Sequence, residues 1–242
     1  MNREYHEWIS PNLHRKMELL VFGHSGARVI VFPTRGGRFF DYENFGMLDS
    51  LRDSIEAGNI QLFCVDSVDF ESFYCFWVHP RGRIERHLRY EAYIMEEVLP
   101  FSLKKNKNSF VVTHGCSLGA YHAVNFALRH PHIFRKTVGF SGRYDLTEQT
   151  EGFADLLEGY YDEDVYFHMP SHYLPNLRDE SVLSSLRNME ITLVVGEKDV
   201  FLGNNIKLSE TLLQKDVKHS LHIWENTAHS AKYWRRMAGS FI

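Results

Sequence analysis

The chain has 242 residues, of which 44% are hydrophobic and 24% charged, and a formal net charge of -4 at pH 7. That length suits one large α/β domain with a sizeable core and is short for two domains joined by a linker. The mild charge, with Lys and Arg scattered along the chain, argues against nucleic acid or an anionic membrane surface as a main partner.

The opening, Met1-Asn2-Arg3-Glu4-Tyr5-His6-Glu7-Trp8, mixes charges of both signs and has no apolar signal-peptide core. No later stretch reaches the length of a membrane span, so a soluble, cytoplasmic protein is expected. Cys64, Cys75 and Cys116 form neither a metal-ligand spacing nor an even disulfide set. They fit a reducing compartment, with Cys64 and Cys116 expected as small apolar residues near the core.

Met17–Phe22 and Ala27–Phe32 read as strands on either side of Gly23-His24-Ser25-Gly26, and the spacing predicts a hairpin. An amphipathic helix follows from about Phe45 to Ala57, then a strand from Ile60 to Val65 that runs into Asp66. Arg83 to Leu99 has helical spacing, with Pro100 as its expected stop. Next comes a short apolar run, Phe110-Val111-Val112, leading through Gly115-Cys116-Ser117-Leu118-Gly119 into an alanine-rich helix from Leu118 to Arg129. A strand from Thr137 to Phe140 stops at Ser141-Gly142. Ile191 to Val195, a helix near Asn205 to Lys215, a strand from His219 to Trp224 and a last helix from about Ser230 complete the alternation.

Strands alternating with helices at this interval predict an α/β protein with a mostly parallel central sheet and helices on both faces. Between Tyr144 and Met189 the strand pattern lapses, and Tyr, acidic residues, Pro170 and Pro175 accumulate. The expectation is a single domain over 1–242 with a cap or lid insertion at about 145–189. No internal repeat or low-complexity tract is present.

A Gly-x-Ser-x-Gly pentapeptide arises by chance in about one chain in ten of this length. Here a buried strand precedes it and a helix follows, which is the context of a nucleophile elbow and makes Ser117 the candidate nucleophile. A serine hydroxyl needs a base, and the base needs an acid to hold its tautomer; on such a fold the chain order is serine, acid, histidine. Asp199, after the strand Ile191–Val195, is the candidate acid, with Glu197 as the alternative. His229, after the strand ending at Trp224, is the candidate base. The oxyanion donors are expected to be the N–H of Leu118 and one from Gly36 or Gly37 in the loop Thr34-Arg35-Gly36-Gly37.

These residues resemble the α/β-hydrolase superfamily, and within it the esterase group that includes esterase D, feruloyl esterase and mycolyltransferase-like proteins. The resemblance rests on the Thr34–Arg38 loop, Gly115–Gly119, Phe140-Ser141-Gly142-x-Tyr144-Asp145, Gly196–Asp199 and His229, and covers almost the whole chain. It implies hydrolysis of a small or medium acyl ester through a Ser117 acyl-enzyme, with a small-molecule substrate and without cofactor or metal. A thioesterase or acyltransferase would use the same residues, and a catalytically silent scaffold that binds a ligand or partner is the alternative of another class. The chain departs from the group beside His229, where Ala228 and Ser230-Ala231 replace bulkier or aromatic neighbours. No feature speaks to oligomeric state.

Arg35 and Arg38 flank the glycine loop, where they either meet an anionic substrate group or stand as solvated arginines. Tyr160 and Tyr161, with Tyr166, Phe167 and Tyr173, either line an acyl pocket or build the cap's own core. Asp145 reads as a structural hydrogen-bond acceptor. Asp66, Asp69 and Glu71 read as a solvated loop bordering the site. His168 and His172 have the four-residue spacing of a helical metal pair, but Pro170 lies between them and no zinc site is expected.

Overall fold

In the computed structural model, which describes all residues 1–242, the apolar runs pair into one eight-stranded sheet. The strands are β1 (Arg3–Ser10), β2 (Arg15–Phe22), β3 (Ala27–Phe32), β4 (Ile60–Val65), β5 (Val111–Cys116), β6 (Lys136–Phe140), β7 (Glu190–Gly196) and β8 (Ser220–Trp224). Their order across the sheet is β1-β2-β4-β3-β5-β6-β7-β8. β1 pairs antiparallel with β2, and β2 antiparallel with β4; every pairing from β4 to β8 is parallel.

The helices are α1 (Asp41–Asn44), α2 (Met47–Glu56), α3 (Pro80–Tyr93), α4 (Leu99–Lys105), α5 (Leu118–Arg129), α6 (Glu163–His168), α7 (Pro170–Tyr173), α8 (Glu180–Arg187), α9 (Leu202–Gln214) and α10 (Ala231–Phe241). Alternate residues of each inner strand face opposite ways, so the sheet feeds two cores. Ile30 and Phe32 join α3, α5, α8 and α9 on one face, while Val29 and Val31 join α1, α2 and α10 on the other. The expected fold class, an α/β-hydrolase type of mostly parallel sheet covered on both faces, is the one observed.

The predicted hairpin between Met17–Phe22 and Ala27–Phe32 does not form. β4 lies between the two strands, and the hairpin partner of β2 is β1, a strand the sequence pattern conceals. β1 is an edge strand whose residues Arg3, Glu4, Tyr5, His6 and Glu7 are charged or aromatic on both faces, so the usual alternation is absent. At the intervening turn Gly23 and Gly26 both adopt φ of +91°, and a Cβ on Gly26 would collide with the Asn59 carbonyl. The turn therefore seats against the start of β4 instead of closing on itself.

Pro100 does not stop its helix either. α3 passes through a π turn over Ile94–Val98 into α4, and Pro100 lies in the first turn of that new segment, where a missing N–H is tolerated. Residues 145–189 add no strand to the sheet. Leu146, Leu156, Leu157, Val165 and Met169 pack on Phe73, Ile84, Leu118 and Tyr121 as a separate small core, whereas Leu183 and Leu186 of α8 belong to the large core under the sheet.

Two buried histidines tie stability to pH. In β5, His114 has Nδ1 2.9 Å from the Val138 carbonyl oxygen, and its Nε2 has no partner. Burial pushes its pKa down from 6.5 to about 4. His87, buried with neither ring nitrogen bonded, is held well below its ordinary value by burial and by the nearby His168 and His122. The unfolded chain thus binds protons that the folded chain refuses, so stability is lost as pH falls below about 6.5. Denaturant titration should show His114 alone costing roughly 2 kcal/mol by about pH 5. In His114→Leu the decline between neutral and that pH should shrink, and an unchanged decline would contradict the assignment.

Candidate active site

β5 ends at Cys116 and α5 begins at Leu118, so Ser117 alone turns the chain, with φ 57° and ψ −122°. An L-residue holds that conformation only when its surroundings impose it. They do so by close contact. A Cβ on Gly115 would strike the Gly119 carbonyl, and one on Gly119 would lie 2.5 Å from the carbonyl oxygens of Phe32 and Pro33. The Ser117 N–H donates to the Phe140 carbonyl at 2.8 Å, which anchors the turn to β6. The N–H of Leu118, in the first turn of α5, has no intrahelical acceptor.

Asp199 and His229 come to Ser117 from the ends of β7 and β8. His229 Nδ1 is 2.8 Å from Asp199 Oδ2, and His229 Nε2 is 3.0 Å from Ser117 Oγ. A carboxylate only accepts, so Nδ1 carries the proton and Nε2 is left as the acceptor facing the serine. The Asp199 side chain is 1% exposed, and its other oxygen accepts the Phe201 N–H at 3.1 Å. Glu197, the alternative acid, accepts the Asn226 N–H at 3.1 Å instead and braces the histidine loop.

That loop is tightly made. Asn226 and Ala228 take φ of 63° and 49°, and a Cβ on Gly196 would collide with the Thr227 carbonyl. Ala228 is fully buried, so a bulkier residue has no room there. The aromatic neighbours of His229 come from elsewhere: Phe201 at 5.9 Å and Trp234 at 5.5 Å between ring centres.

The glycine loop is arranged differently from expectation. The Gly36 N–H donates to Asp69 Oδ2 at 2.8 Å and the Gly37 N–H to the Thr34 carbonyl at 2.8 Å, so neither is free to meet an oxyanion. The N–H groups of Thr34 and Arg35 make no hydrogen bond within the protein, and both residues line the cleft that holds Ser117. Asp66 and Asp69, expected in a solvated loop, are 0% and 2% exposed. Asp66 is paired with Arg38, which also holds Glu18. Asp69 bridges Gly36 and the buried His122, whose Nε2 is 3.2 Å from Oδ1. Only Glu71 is partly exposed, bonded to Arg15 and Arg86.

The cleft has a volume of about 320 Å³ and is lined by Thr34, Arg35, Tyr74, Ser117, Leu118, Arg143, Phe153, Phe201, His229 and Trp234. Tyr160 and Tyr161 are not on its wall. Tyr160 donates to Asp162 and packs on His79; Tyr161, more than half exposed, bonds His172 Nδ1 at 3.1 Å. Arg143 is legible by the same logic that finds Asp199, since each sits three residues past a strand end, whereas Phe201 lies five past the end of β7, at the start of α9. Tyr74, Phe153 and Trp234 reach the cleft through long-range packing that leaves no local trace. His168 bonds Glu91 and His172 bonds Asp145, and no group of His, Cys, Asp or Glu side chains converges as a metal cage. Asp145 accepts from Thr147, Ser171 and His172, a structural acceptor.

Residues 38–237 match the family described as "Putative esterase". The chain belongs to this esterase family. The esterase is accordingly a carboxylic ester hydrolase. Solved structures resemble it over nearly their whole length. A ferulic acid esterase superposes with a TM-score of 0.79 at 15% identity, covering 99% of this chain and 96% of the other. An S-formylglutathione hydrolase from Agrobacterium tumefaciens gives 0.76 at 16% identity, covering 98% and 92%. A fluorophosphonate-binding serine hydrolase of Staphylococcus aureus gives 0.71 at 15%, covering 99% and 96%. A search of curated protein sequences returns no match. No helix of the esterase is long and apolar enough to cross a membrane.

Because Asp69 alone holds Gly36 from below, it sets where the Thr34–Arg35 backbone lies. In Asp69→Asn the amide cannot accept from both Gly36 and His122 as a carboxylate does. A displacement of about 1 Å is enough to lower kcat/KM about 100-fold. Steady-state kinetics on a simple aryl ester, with a thermal melt to confirm folding, should show that loss; unaltered kcat/KM would rule the brace out.

Proposed function

We propose that the esterase is a serine hydrolase in which Ser117 is the nucleophile, His229 the general base and Asp199 the acid that orients it. The observation that carries this reading is the unbroken relay from Asp199 Oδ2 through His229 to Ser117 Oγ, at 2.8 and 3.0 Å, ending on a serine held in a strained turn. His229 Nε2 takes the hydroxyl proton as Oγ attacks the ester carbonyl, and returns it to the departing alcohol. Water, deprotonated by the same nitrogen, then releases the acid from the acyl-enzyme.

The oxyanion is bound by the Leu118 N–H and by an N–H of Thr34 or Arg35, the two loop amides left without an internal partner. This replaces Gly36 and Gly37, whose N–H groups are spent on Asp69 and the Thr34 carbonyl and shape the loop. Phe153, Phe201, Trp234 and Tyr74 give the cleft an aromatic wall suited to a small or medium apolar acyl or aryl group. We read the chain as one domain over 1–242, with the part of 145–189 around Phe153 serving as a small cap at the cleft edge.

Ser117→Ala should abolish covalent labelling by a fluorophosphonate and lower kcat on p-nitrophenyl esters by about 10⁴-fold or more. Asp199→Asn should leave labelling possible but lower kcat by a similar order, because His229 loses its fixed tautomer. Labelling that persists in Ser117→Ala would eliminate the assigned nucleophile.

A further inference from the structure

The wall of the cleft carries two arginines and no acidic residue. Neither arginine forms an ion pair, whereas Arg38, nearby on the same loop, holds both Asp66 and Glu18. Arg143 is 3% exposed. Its Nε donates to the Asp145 carbonyl at 3.3 Å, and its Nη2 to the carbonyls of Leu146, Glu148 and Ala154 at 3.2, 2.7 and 2.8 Å. Its Nη1 is buried and has no partner at all. A guanidinium stays charged in any protein; here carbonyl dipoles satisfy its geometry, no carboxylate bonds it, and Asp145, Asp155 and Glu148 act on its charge without forming an ion pair.

Arg35 points to the same end of the cleft. It makes no hydrogen bond to a carboxylate, and its guanidinium carbon lies 5.6 Å from the centre of the Tyr74 ring. Burial raises the pKa of the Tyr74 hydroxyl; the charges of Arg35 and Arg143 pull it back and that of Asp69 adds to the rise, and Tyr74, Arg35 and Arg143 share the cleft wall. This stretch of the wall presents two guanidiniums and no carboxylate, Arg143 buried and Arg35 exposed to an arriving solute, so its chemistry suits an anion carried by the substrate.

We infer that the substrate of this esterase is an ester that carries a second, anionic group, bound by the Arg35 guanidinium at the Tyr74 end of the cleft with Arg143 supplying a fixed positive field behind it. The inference rests on the proposed hydrolase reading for where the ester lies. The anionic group is a spectator: hydrolysis adds water across the ester bond and leaves the charged group intact. The aromatic residues around the recess accept the remainder of the molecule, so the expected substrate is an amphiphile with an apolar body and one charged end.

The test uses two matched pairs at low ionic strength. p-Nitrophenyl hydrogen glutarate against p-nitrophenyl valerate places the anion on the acid side; para-acetoxybenzoate against para-acetoxyacetophenone places it on the alcohol side. After division by each ester's rate with hydroxide, kcat/KM should favour the anionic member of one pair by about tenfold, as for one charge-assisted hydrogen bond. The pair that shows it identifies which side carries the charge. The ratio should fall about tenfold in Arg35→Gln, fall further in Arg35→Glu, and shrink with added salt. A ratio near one in both pairs, or one that survives Arg35→Glu, overturns the proposal. Calorimetric binding of methyl hydrogen glutarate and para-acetoxybenzoate to Ser117→Ala separates the two readings. Binding that depends on Arg35 while the wild type hydrolyses none of the four esters would support the anion site and remove the hydrolase mechanism. Turnover of the neutral esters without Arg35-dependent binding would do the reverse.

Discussion

The site depends on how closely α5 approaches the end of β3. At Gly119 the helix backbone lies against the carbonyls of Phe32 and Pro33 with no room for a Cβ, and Gly115 faces Gly119 in the same way. That contact forces Ser117 into its left-handed turn, because a relaxed link from β5 to α5 would need the space the two glycines have closed. It also fixes the distance between two amides that belong to different parts of the chain, those of Leu118 and of the Thr34–Arg35 loop. One packing constraint therefore sets the proposed nucleophile and brings both proposed oxyanion donors to the same cleft.

Strain recurs along the C-terminal edge of the sheet for the same reason. Ser117, Ser141, Asn226 and Ala228 all have positive φ, and all lie just beyond a strand. Ser141 joins them: its Oγ accepts from Trp234 Nε1 at 3.2 Å and lies 3.4 Å from the Ala228 carbonyl oxygen. One hydroxyl thus ties the end of β6 to the histidine loop and to α10. Residues in sparsely populated conformations cost about 1–3 kcal/mol each and persist only where neighbours over-determine them. Here the neighbours are the sheet and α10, which is why a buried alanine beside His229 suffices where a larger residue was expected.

Much of this was legible in the sequence, and what was missed has a physical cause. The parallel half, from Ile60 to the last helix, shows itself because each buried strand is a continuous apolar run ending in a small or polar residue, and the residues of the proposed triad, Ser117, Asp199 and His229, follow those endings. β1 is concealed because an edge strand needs no apolar face, and the glycine turn after β2 misleads because it signals a reversal without saying which strand lies beside it. Flexibility alone marks Gly36 and Gly37 as donor candidates. Whether an N–H is free depends on Asp69, which lies thirty-odd residues away in sequence and is buried only once the loop has folded. Tyr160 and Tyr161 belong to the right segment and the wrong side of it, a matter of packing that composition cannot carry.

The two halves of the site are held by different means. The relay of Ser117, His229 and Asp199 is fixed by backbone: strand ends, tight glycines and positive-φ turns. The opposite wall is fixed by buried charge. Asp69 ties the Thr34–Arg35 loop to His122, whose ring stacks on His87 at 5.4 Å between centres. Glu91 then ties α6 to the same layer through His168 at 2.8 Å, with His130 and Arg129 on its other oxygen. Burial alone would raise the Glu91 carboxyl, but those hydrogen bonds and the Arg129 charge hold it far below the ordinary range, so it remains an anion and α6 remains pinned. Phe153 has no buried carboxylate as its anchor. It is held by a pair of 3.0 Å backbone bonds with Thr150 and by its ring on Phe201 at 4.8 Å. Arg143 bonds the carbonyl of the next residue, Ala154, at 2.8 Å, so the Phe153 edge is tied to the loop after β6 and the two move together rather than with the charged layer.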